Sequence, residues 1–315
     1  MQKRKLGRSG IEIAPLVLGG NVFGWTADEK TSFAVLDAFV GEGFTAIDTA
    51  NAYSRWVPGH VGGESETIIG NWMKARGNRD RVHVITKVGS DMGQGKRDLS
   101  AAHIAKAAED SLRRLQTDYL DVYFSHWPDD TVTQAETLAA YDKLIKAGKV
   151  RTIGCSNYDG KLLTEALKLS SEKNLPRYEV LQNEFNLYSR DKYEGPVQDI
   201  VVREGLGSIP YYSLASGFLT GKYRSEADLN KSPRGKGAAK YLDEQGQRIL
   251  TAMDQVASRT GAGLAEIALA WIAAQPGITG PIASATSVAQ VESLARGARL
   301  SLKPADLQVL TEAGR

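Results

Sequence analysis

The chain alternates short apolar runs with longer stretches in which apolar residues recur at helical spacing, about eight times over its 315 residues. The run 120–125 has the length of a buried strand, whereas Ile104, Ala108 and Leu112 mark one face of a helix that begins after Ser100. Strands that alternate with helices form a parallel sheet, and eight such units close a barrel. The sequence therefore predicts an α/β protein with a (β/α)8 TIM barrel.

Two further features bear on the organisation of this barrel. Residues 3–13 predict a short β-hairpin with its turn at Arg8-Ser9-Gly10, placed to cap one end of the barrel. No shift in composition and no linker rich in proline or serine divides the chain, and barrels of this length often form one domain. We therefore expect residues 1–315 to fold as a single domain.

Charge and hydropathy narrow the classes of partner. A net charge of +2, with acids and bases mixed throughout, provides neither the basic surface that nucleic acid selects nor a basic membrane-binding tail. The basic start at Lys3-Arg4-Lys5 is not followed by the apolar run of a signal peptide, and no apolar stretch reaches the length of a membrane span. We expect a cytoplasmic protein without nucleic-acid or membrane partners, and the sequence leaves monomer and homo-oligomer open.

Neither a metal site nor a reactive thiol is expected. Cys155 follows an apolar run, where a buried inert thiol is the expected state rather than a nucleophile close to His126. His60 lies near Glu64 and Glu66, but this glycine-rich loop offers no second histidine, so a metal site there is not predicted.

Three strand-like runs end on residues that can take part in proton transfer. The runs close on Asp48, Lys87 and His126, and Tyr53 follows the first of them by one loop turn. Because the carboxyl ends of parallel strands converge at one end of a barrel, these four side chains are predicted to meet. A charged ammonium near a phenol stabilises phenolate and is expected to lower the pKa of Tyr53 from about 10. Tyr53 would then serve as a general acid near neutral pH.

The motifs that carry these residues resemble those of the aldo-keto reductases, from the hairpin to beyond Gln290. They are Ile47-Asp48-Thr49-Ala50 with Tyr53, Thr86-Lys87, His126-Trp127, Gly154-Cys155-Ser156-Asn157-Tyr158, Gln182-Asn183 and Leu219-Thr220-Gly221-Lys222-Tyr223. The resemblance implies a barrel that binds NADPH (NADP+), or less often NADH, and reversibly reduces an aldehyde or ketone to an alcohol. Within the family, the chain is similar to bacterial members with a short carboxyl-terminal tail that are related to channel β-subunit-like and aryl-alcohol-dehydrogenase-like proteins.

The resemblance also implies catalytic roles for the four converging residues. Tyr53 would donate the proton to the carbonyl oxygen. Lys87 would lower the pKa of Tyr53, and Asp48 would pair with Lys87. His126 would orient the carbonyl oxygen.

Cofactor contacts follow from the same resemblance. Ser156, Asn157 and Gln182 would bind the nicotinamide carboxamide, and Tyr211 would stack on the nicotinamide ring. The residues implied to line the pyrophosphate or fold over it are Leu214, Ser216, Leu219, Lys222, Arg234 and Lys236. The remaining implied contacts are Asn21, Ser284, Thr286 and Gln290.

One position departs from the family pattern. Many relatives carry an arginine at the place of Thr286, where it holds the adenosine 2′-phosphate. A hydroxyl cannot fork onto phosphate as a guanidinium does, so NADH is also a possible cofactor, although the family favours NADPH.

Bulky groups are placed to surround a substrate. Trp25 follows the first barrel strand, Trp56 lies beside Tyr53, and Trp127 follows His126. Indole rings pack against apolar and sugar-like surfaces alike, so the predicted substrate is a small carbonyl compound of either kind.

Two other functions use the same residues. A nucleotide-sensing regulatory protein of the same fold would carry the same four side chains and turn over slowly. An aldolase-like barrel would use Lys87 as a Schiff-base lysine, although Tyr53 and Asp48 argue against that chemistry.

Overall fold

The computed structural model describes residues 2–315, in which ten strands form two sheets. The strands are β1 Arg4–Lys5, β2 Glu12–Ile13, β3 Val17–Gly19, β4 Ala46–Asp48, β5 His83–Val88, β6 Leu120–Ser125, β7 Val150–Ser156, β8 Tyr178–Gln182, β9 Gly207–Ser208 and β10 Ile282–Ala283. β1 and β2 form the predicted antiparallel hairpin. The other eight strands form one parallel sheet in the order β10-β3-β4-β5-β6-β7-β8-β9.

The two edges of the parallel sheet meet and close it. At this seam, the backbone N–H of Thr279 donates to the Ser208 carbonyl (2.7 Å) and that of Ile282 donates to the Pro210 carbonyl (2.9 Å). The predicted (β/α)8 barrel with an amino-terminal hairpin is therefore confirmed.

Helices connect the strands and surround the barrel. They are α1 Glu29–Gly41, α2 Glu64–Arg76, α3 Ala101–Leu115, α4 Gln134–Lys146, α5 Gly160–Lys173, α6 Pro196–Glu204, α7 Gly235–Ala238, α8 Glu244–Thr260, α9 Leu264–Ala273, α10 Val288–Arg299 and α11 Pro304–Ala313. Polar N-cap side chains begin several of them. Ser100, for example, accepts from the His103 N–H and starts α3 where the sequence predicted.

Alternate residues of each strand fill the barrel, because side chains two residues apart point to the same face. The interior cluster contains Val17, Ala46, Ile85, Val122, Phe124, Val180, Ile209 and Ile282, together with Leu6, Ile11 and Ile13. The last three belong to the hairpin segment, which thus closes the amino-terminal end of the barrel. Intervening strand residues such as Leu18 and Ile47 face the helices instead.

The same alternation places polar groups at the open end. A polar residue lies two positions after each of four interior residues: Asp48 after Ala46, Lys87 after Ile85, His126 after Phe124, and Gln182 after Val180. The apolar interior therefore supports a polar layer at the carboxyl ends of the strands.

Two segments differ from the expectation. The eighth strand was predicted at 279–282, but β10 pairs with β3 only from Ile282, because the preceding residues contact the hairpin: Arg4 binds the Ile278 carbonyl, and Thr279 binds the Lys5 carbonyl. The helix α11 was not predicted. Its Thr311 hydroxyl accepts from the indole N–H of Trp271 (2.9 Å), which fixes α11 against α9.

Among residues 2–315, no helix combines the length and the apolar character that a membrane crossing requires.

Candidate active site

Lys87 and Asp48 form a buried ion pair beneath the loop that carries Tyr53. Lys87 Nζ donates to Asp48 Oδ2 (2.7 Å), to the Thr49 carbonyl (2.7 Å) and to the Tyr53 hydroxyl (2.9 Å). The Tyr53 hydroxyl donates to Asp48 Oδ2 (3.2 Å), and Gln182 Nε2 donates to Asp48 Oδ1 (2.9 Å). An ammonium has three donors, and all three are engaged here. Lys87 also does not line the cavity, so its engaged amine does not face a carbonyl substrate, which disfavours the Schiff-base function.

The Tyr53 phenol holds its proton strongly. Burial raises the pKa of Tyr53 well above its usual value, and the Asp48 carboxylate raises it further. Burial also lowers the pKa of the Lys87 ammonium, although Asp48 opposes this effect. Burial and the carboxylate therefore outweigh the ammonium in the chain by itself, and the lowering of the Tyr53 pKa by Lys87 stays a prediction. The phenol remains protonated at neutral pH, which is the state that a proton donor requires.

His126 faces Tyr53 at the end of β6. The two rings are 6.0 Å apart between centroids and meet edge to face. Burial lowers the pKa of His126 well below its usual value, and the Lys87 charge adds to this effect. The imidazole is therefore neutral, and its Nδ1 is bound to the Ser90 hydroxyl (2.8 Å). Nε2 is the nitrogen that remains for a ligand.

A cluster of amides and hydroxyls lies beside this group. Asn157 Nδ2 donates to the His126 carbonyl (2.9 Å), and the Tyr211 hydroxyl donates to Asn157 Oδ1 (2.7 Å). The Ser156 hydroxyl donates to the Gln182 carbonyl (2.6 Å). The sequence separates these residues widely, yet the ends of β7 and β8 bring them together.

One cavity of about 1150 Å³ opens at this end of the barrel. The predicted residues that line it are Asn21, Asp48, Tyr53, Trp56, His126, Trp127, Ser156, Asn157, Gln182, Tyr211, Leu214, Ser216, Lys222, Arg234, Ser284, Thr286 and Gln290. These residues come from many parts of the chain and meet at one end of the barrel, so a single extended ligand can contact most of them.

Four predicted residues do not line the cavity. Lys87 lies beneath Tyr53, and Leu219 is fully buried. Lys236 is exposed. Trp25 packs edge-on against Trp56, with 5.6 Å between the ring centroids.

The sequence analysis did not single out several lining residues, among them Ser90, Tyr212, Glu184 and the segment 263–265. Ser90 had a signal in the sequence, because it follows β5 in the same manner as the other strand-end residues. The segment 263–265 had none, since it begins the helix α9 and reaches the cavity only through the packing of α9 against α10.

The other sequence candidates are engaged elsewhere. Cys155 is fully buried, and burial raises the pKa of its thiol. Glu64 accepts from backbone N–H groups of its own loop, and Glu66 binds Thr86 and Arg114. His60 Nδ1 lies 3.2 Å from the Ser54 carbonyl.

The wall formed by residues 214–222 has the properties of an anion-binding loop. Ala215, Ser216 and Gly217 have φ of 47°, 57° and 92°, a run of left-handed backbone that is costly for the first two residues. The backbone N–H groups of Ala215 and Gly217 are bound to the carbonyls of Tyr212 and Leu214, so the wall offers an anion its side chains, such as the Ser216 hydroxyl. Lys222 adds a cation, which lies 5.0 Å from the centre of the Tyr223 ring. This donor set fits the pyrophosphate of a dinucleotide, just as the Asn157 and Gln182 amides fit a carboxamide.

The barrel with its proton-transfer cluster and long cavity defines an enzyme-like site, and comparison with known proteins identifies its family. The model of the aldo/keto reductase family matches residues 15–315. Protein tas of Escherichia coli K12 is 31% identical to this chain over 96% of this chain and 94% of tas. The uncharacterized oxidoreductase YrpG of Bacillus subtilis is 33% identical over 99% of this chain and 95% of YrpG. A probable voltage-gated potassium channel subunit beta of Oryza sativa is 34% identical over 92% and 89%.

The chain therefore belongs to the aldo/keto reductase family, as its motifs predicted. It is an oxidoreductase of a family that uses nicotinamide cofactors and acts on small carbonyl compounds.

Proposed function

We propose that this protein reduces an aldehyde or ketone to an alcohol with a reduced nicotinamide cofactor, and that Tyr53 donates the proton. The observation that carries the proposal is the Tyr53 hydroxyl, which faces the cavity, is protonated, and accepts a hydrogen bond from Lys87. The cofactor, when bound, supplies the hydride that goes to the carbonyl carbon.

The side chains of the chain act on the carbonyl oxygen. Tyr53 gives it a proton while the carbon–oxygen π bond breaks, and the ammonium of Lys87 stabilises the phenolate that is left. The neutral His126 donates from Nε2 to the same oxygen and holds it in place. Asp48 Oδ2 accepts from Lys87 Nζ at 2.7 Å and so helps to hold the ammonium in place among its three acceptors.

The cofactor would be held along the whole cavity. Ser156, Asn157 and Gln182 would bind the carboxamide, Tyr211 would stack on the ring, and Lys222 would pair with the pyrophosphate. We propose NADPH as the cofactor, with NADH as the alternative because Thr286 replaces the usual arginine. The single barrel domain would act in the cytoplasm.

Turnover tests the proposal directly. The purified protein is mixed with NADPH or NADH and a panel of aldehydes and ketones, and loss of reduced-cofactor absorbance is followed over many turnovers. Tyr53→Phe should lower kcat roughly 10²–10⁴-fold and leave cofactor affinity nearly unchanged, because only the proton is removed. Tyr119→Phe, near Arg79 at the far end of the barrel, is the matched control. Wild-type turnover in Tyr53→Phe would refute the assignment.

A regulatory function is the second candidate. The similarity to a probable potassium channel subunit beta supports a regulatory function, in which this protein would bind nucleotide in the same cavity and turn over slowly. Tight cofactor binding without turnover of any carbonyl compound in the panel would favour this candidate over the reductase.

A further inference from the structure

Four adjacent rings line the substrate end of the cavity, and the ring of Trp25 packs against the first of them. We call Trp25, Trp56, Tyr53, His126 and Trp127 the aromatic arc, since each ring neighbours the next at centroid distances of 5.6, 6.2, 6.0 and 6.1 Å. The proton donor lies at its centre. Rings of this kind pack against the flat or apolar body of a ligand. Polar groups of the ligand would then be bound at the ends of the aromatic arc.

Arg234 lies at the Trp25 end of the aromatic arc. Its guanidinium is 5.6 Å from the centre of the Trp25 ring. Gly237, three residues further along, lies beside Ser216, so the loop passes over the 214–222 wall and carries Arg234 to the aromatic arc. Arg234 is half-buried and lines the cavity.

Within residues 2–315, no acid forms an ion pair with Arg234. No carboxylate in the described part of the chain is among the groups that act on the pKa of Arg234, and burial lowers the pKa of the guanidinium. A half-buried guanidinium without a counter-ion is unfavourable, because part of its hydration is lost without replacement. The binding of an anion to Arg234 should therefore be more favourable in free energy than binding to an exposed arginine.

None of the acids that line the cavity pairs with Arg234. Asp48 binds Lys87. Asp91 accepts from the backbone of its own loop, where Arg55 acts on its charge. Glu184 forms no ion pair within residues 2–315; it raises the pKa of Tyr211 and Tyr241 and is not among the groups that act on Arg234.

We propose that the carbonyl substrate carries a carboxylate, which Arg234 binds in place of the pyrophosphate contact that the family resemblance implies, while the aromatic arc packs against the apolar body. This inference rests on the proposed function and names its substrate class. A guanidinium forks onto a carboxylate with two parallel hydrogen bonds. Arg234 suits a singly charged group better than a phosphate monoester, because Asp91 partly offsets Arg55, Lys231 is paired with Asp228, and Lys222 is assigned to the pyrophosphate of the cofactor.

The test uses two aldehydes that differ only in charge, para-formylbenzoate and its methyl ester. The wild-type protein should favour the carboxylate by about tenfold in kcat/KM, mostly through KM, as one charge-assisted hydrogen bond warrants. Arg234→Met should reduce this ratio to about one, and Arg234→Lys should restore part of it. Lys240→Met, an exposed cation of the neighbouring segment, should leave the ratio unchanged.

The ratio separates the substrate from the cofactor. If Arg234 binds only the cofactor, Arg234→Met lowers kcat/KM for both aldehydes equally and the ratio stays at its wild-type value, which would overturn the inference. A preference for the ester, or for a phosphate-bearing aldehyde over the carboxylate, would overturn it as well.

Binding is followed in parallel by quenching of tryptophan fluorescence with para-formylbenzoate. Failure of both aldehydes to turn over with either cofactor would sink the proposed function, and the fluorescence titration would still decide on the carboxylate site. Saturable quenching that Arg234→Met weakens about tenfold supports the site, whereas equal affinity in both proteins refutes it.

Discussion

We expect Ser90 to determine which nitrogen of His126 carries the proton. The imidazole is neutral, so it has one N–H, and Ser90 is bound to Nδ1 at 2.8 Å. If the hydroxyl donates to Nδ1, the proton must be on Nε2, where it can bind the carbonyl oxygen. Ser90→Ala removes this preference and should lower kcat about tenfold with little change in cofactor affinity.

Ser90→Thr provides the control for this prediction. It retains the hydroxyl and should recover most of the lost kcat, whereas a loss caused by packing would persist. Steady-state kinetics of both variants with a saturating cofactor measure the effect. An equal rise in KM and fall in kcat in both variants would show that Ser90 has only a structural role.

The pH dependence of the reaction follows from two displaced pKa values. The pKa of His126 is lowered, so the ring stays neutral as the pH falls from about 8 to about 6. The pKa of Tyr53 is raised, so the phenol keeps its proton as the pH rises over the same range. We expect kcat/KM for reduction to be nearly flat between these limits. An inflection near pH 6.5 that disappears in His126→Gln would contradict this.

At the scale of the strand, Gly154 makes room for the interior of the barrel. A Cβ at this position would lie 2.6 Å from two atoms of the Phe124 ring and 2.7 Å from the Val180 carbonyl oxygen. β6, β7 and β8 are neighbours, so neither contact can relax without shifting the sheet. Gly154→Ala should lower the free energy of unfolding by about 1–3 kcal/mol.

Gly41 offers a matched control for the glycine substitution. It ends α1, and a Cβ there would meet nothing within 4 Å. Gly41→Ala should leave stability unchanged or raise it by up to about 1 kcal/mol. Urea unfolding of both variants measures the difference. Equal stability of the two would show that β7 tolerates the added methyl group.

The polar layer shows how far sequence reasoning extends. Asp48, Lys87 and His126 each end an apolar run, and the two-residue period of a strand is enough to place them on one face. The displaced pKa of Tyr53 was beyond reach, because it depends on how deeply the loop buries the phenol beside Asp48. Sequence spacing indicates which groups meet but not the polarity of the space between them.

The missed elements have a similar cause. α11 carries a proline at its first position and leucines at 307 and 310, which is a weak helical signal in a short segment. What holds it is Trp271 of α9, far away in sequence. The position of Arg234 over Trp25 is likewise a tertiary contact between the loop before α7 and the loop after β3, and no local pattern predicts it.

For the molecule as a whole, the cavity connects the polar layer of the barrel to the start of α10, so a ligand that fills it would contact distant parts of the fold. The lysines and arginines that line it are Arg55, Lys222, Lys231 and Arg234, and none comes from the wall at 282–294. Thr286 at that wall donates its N–H to Gln290 Oε1 (2.8 Å). A 2′-phosphate placed there would meet hydroxyls and amides but no charge.

Thr286→Arg should therefore supply the missing cation. The backbone N–H bond to Gln290 does not depend on the side chain, and the new guanidinium can fork onto the phosphate. We expect the ratio of NADPH to NADH affinity to rise about tenfold, as measured by tryptophan quenching, and the melting temperature with NADPH to rise because a ligand that binds the folded state stabilises it. Val288→Arg adds the same charge outside the cavity lining and should change neither quantity. An equal shift of the NADPH to NADH affinity ratio in both variants would mean that the added positive charge acts through its general electrostatic field. No shift in either variant would mean that the 2′-phosphate lies away from residue 286.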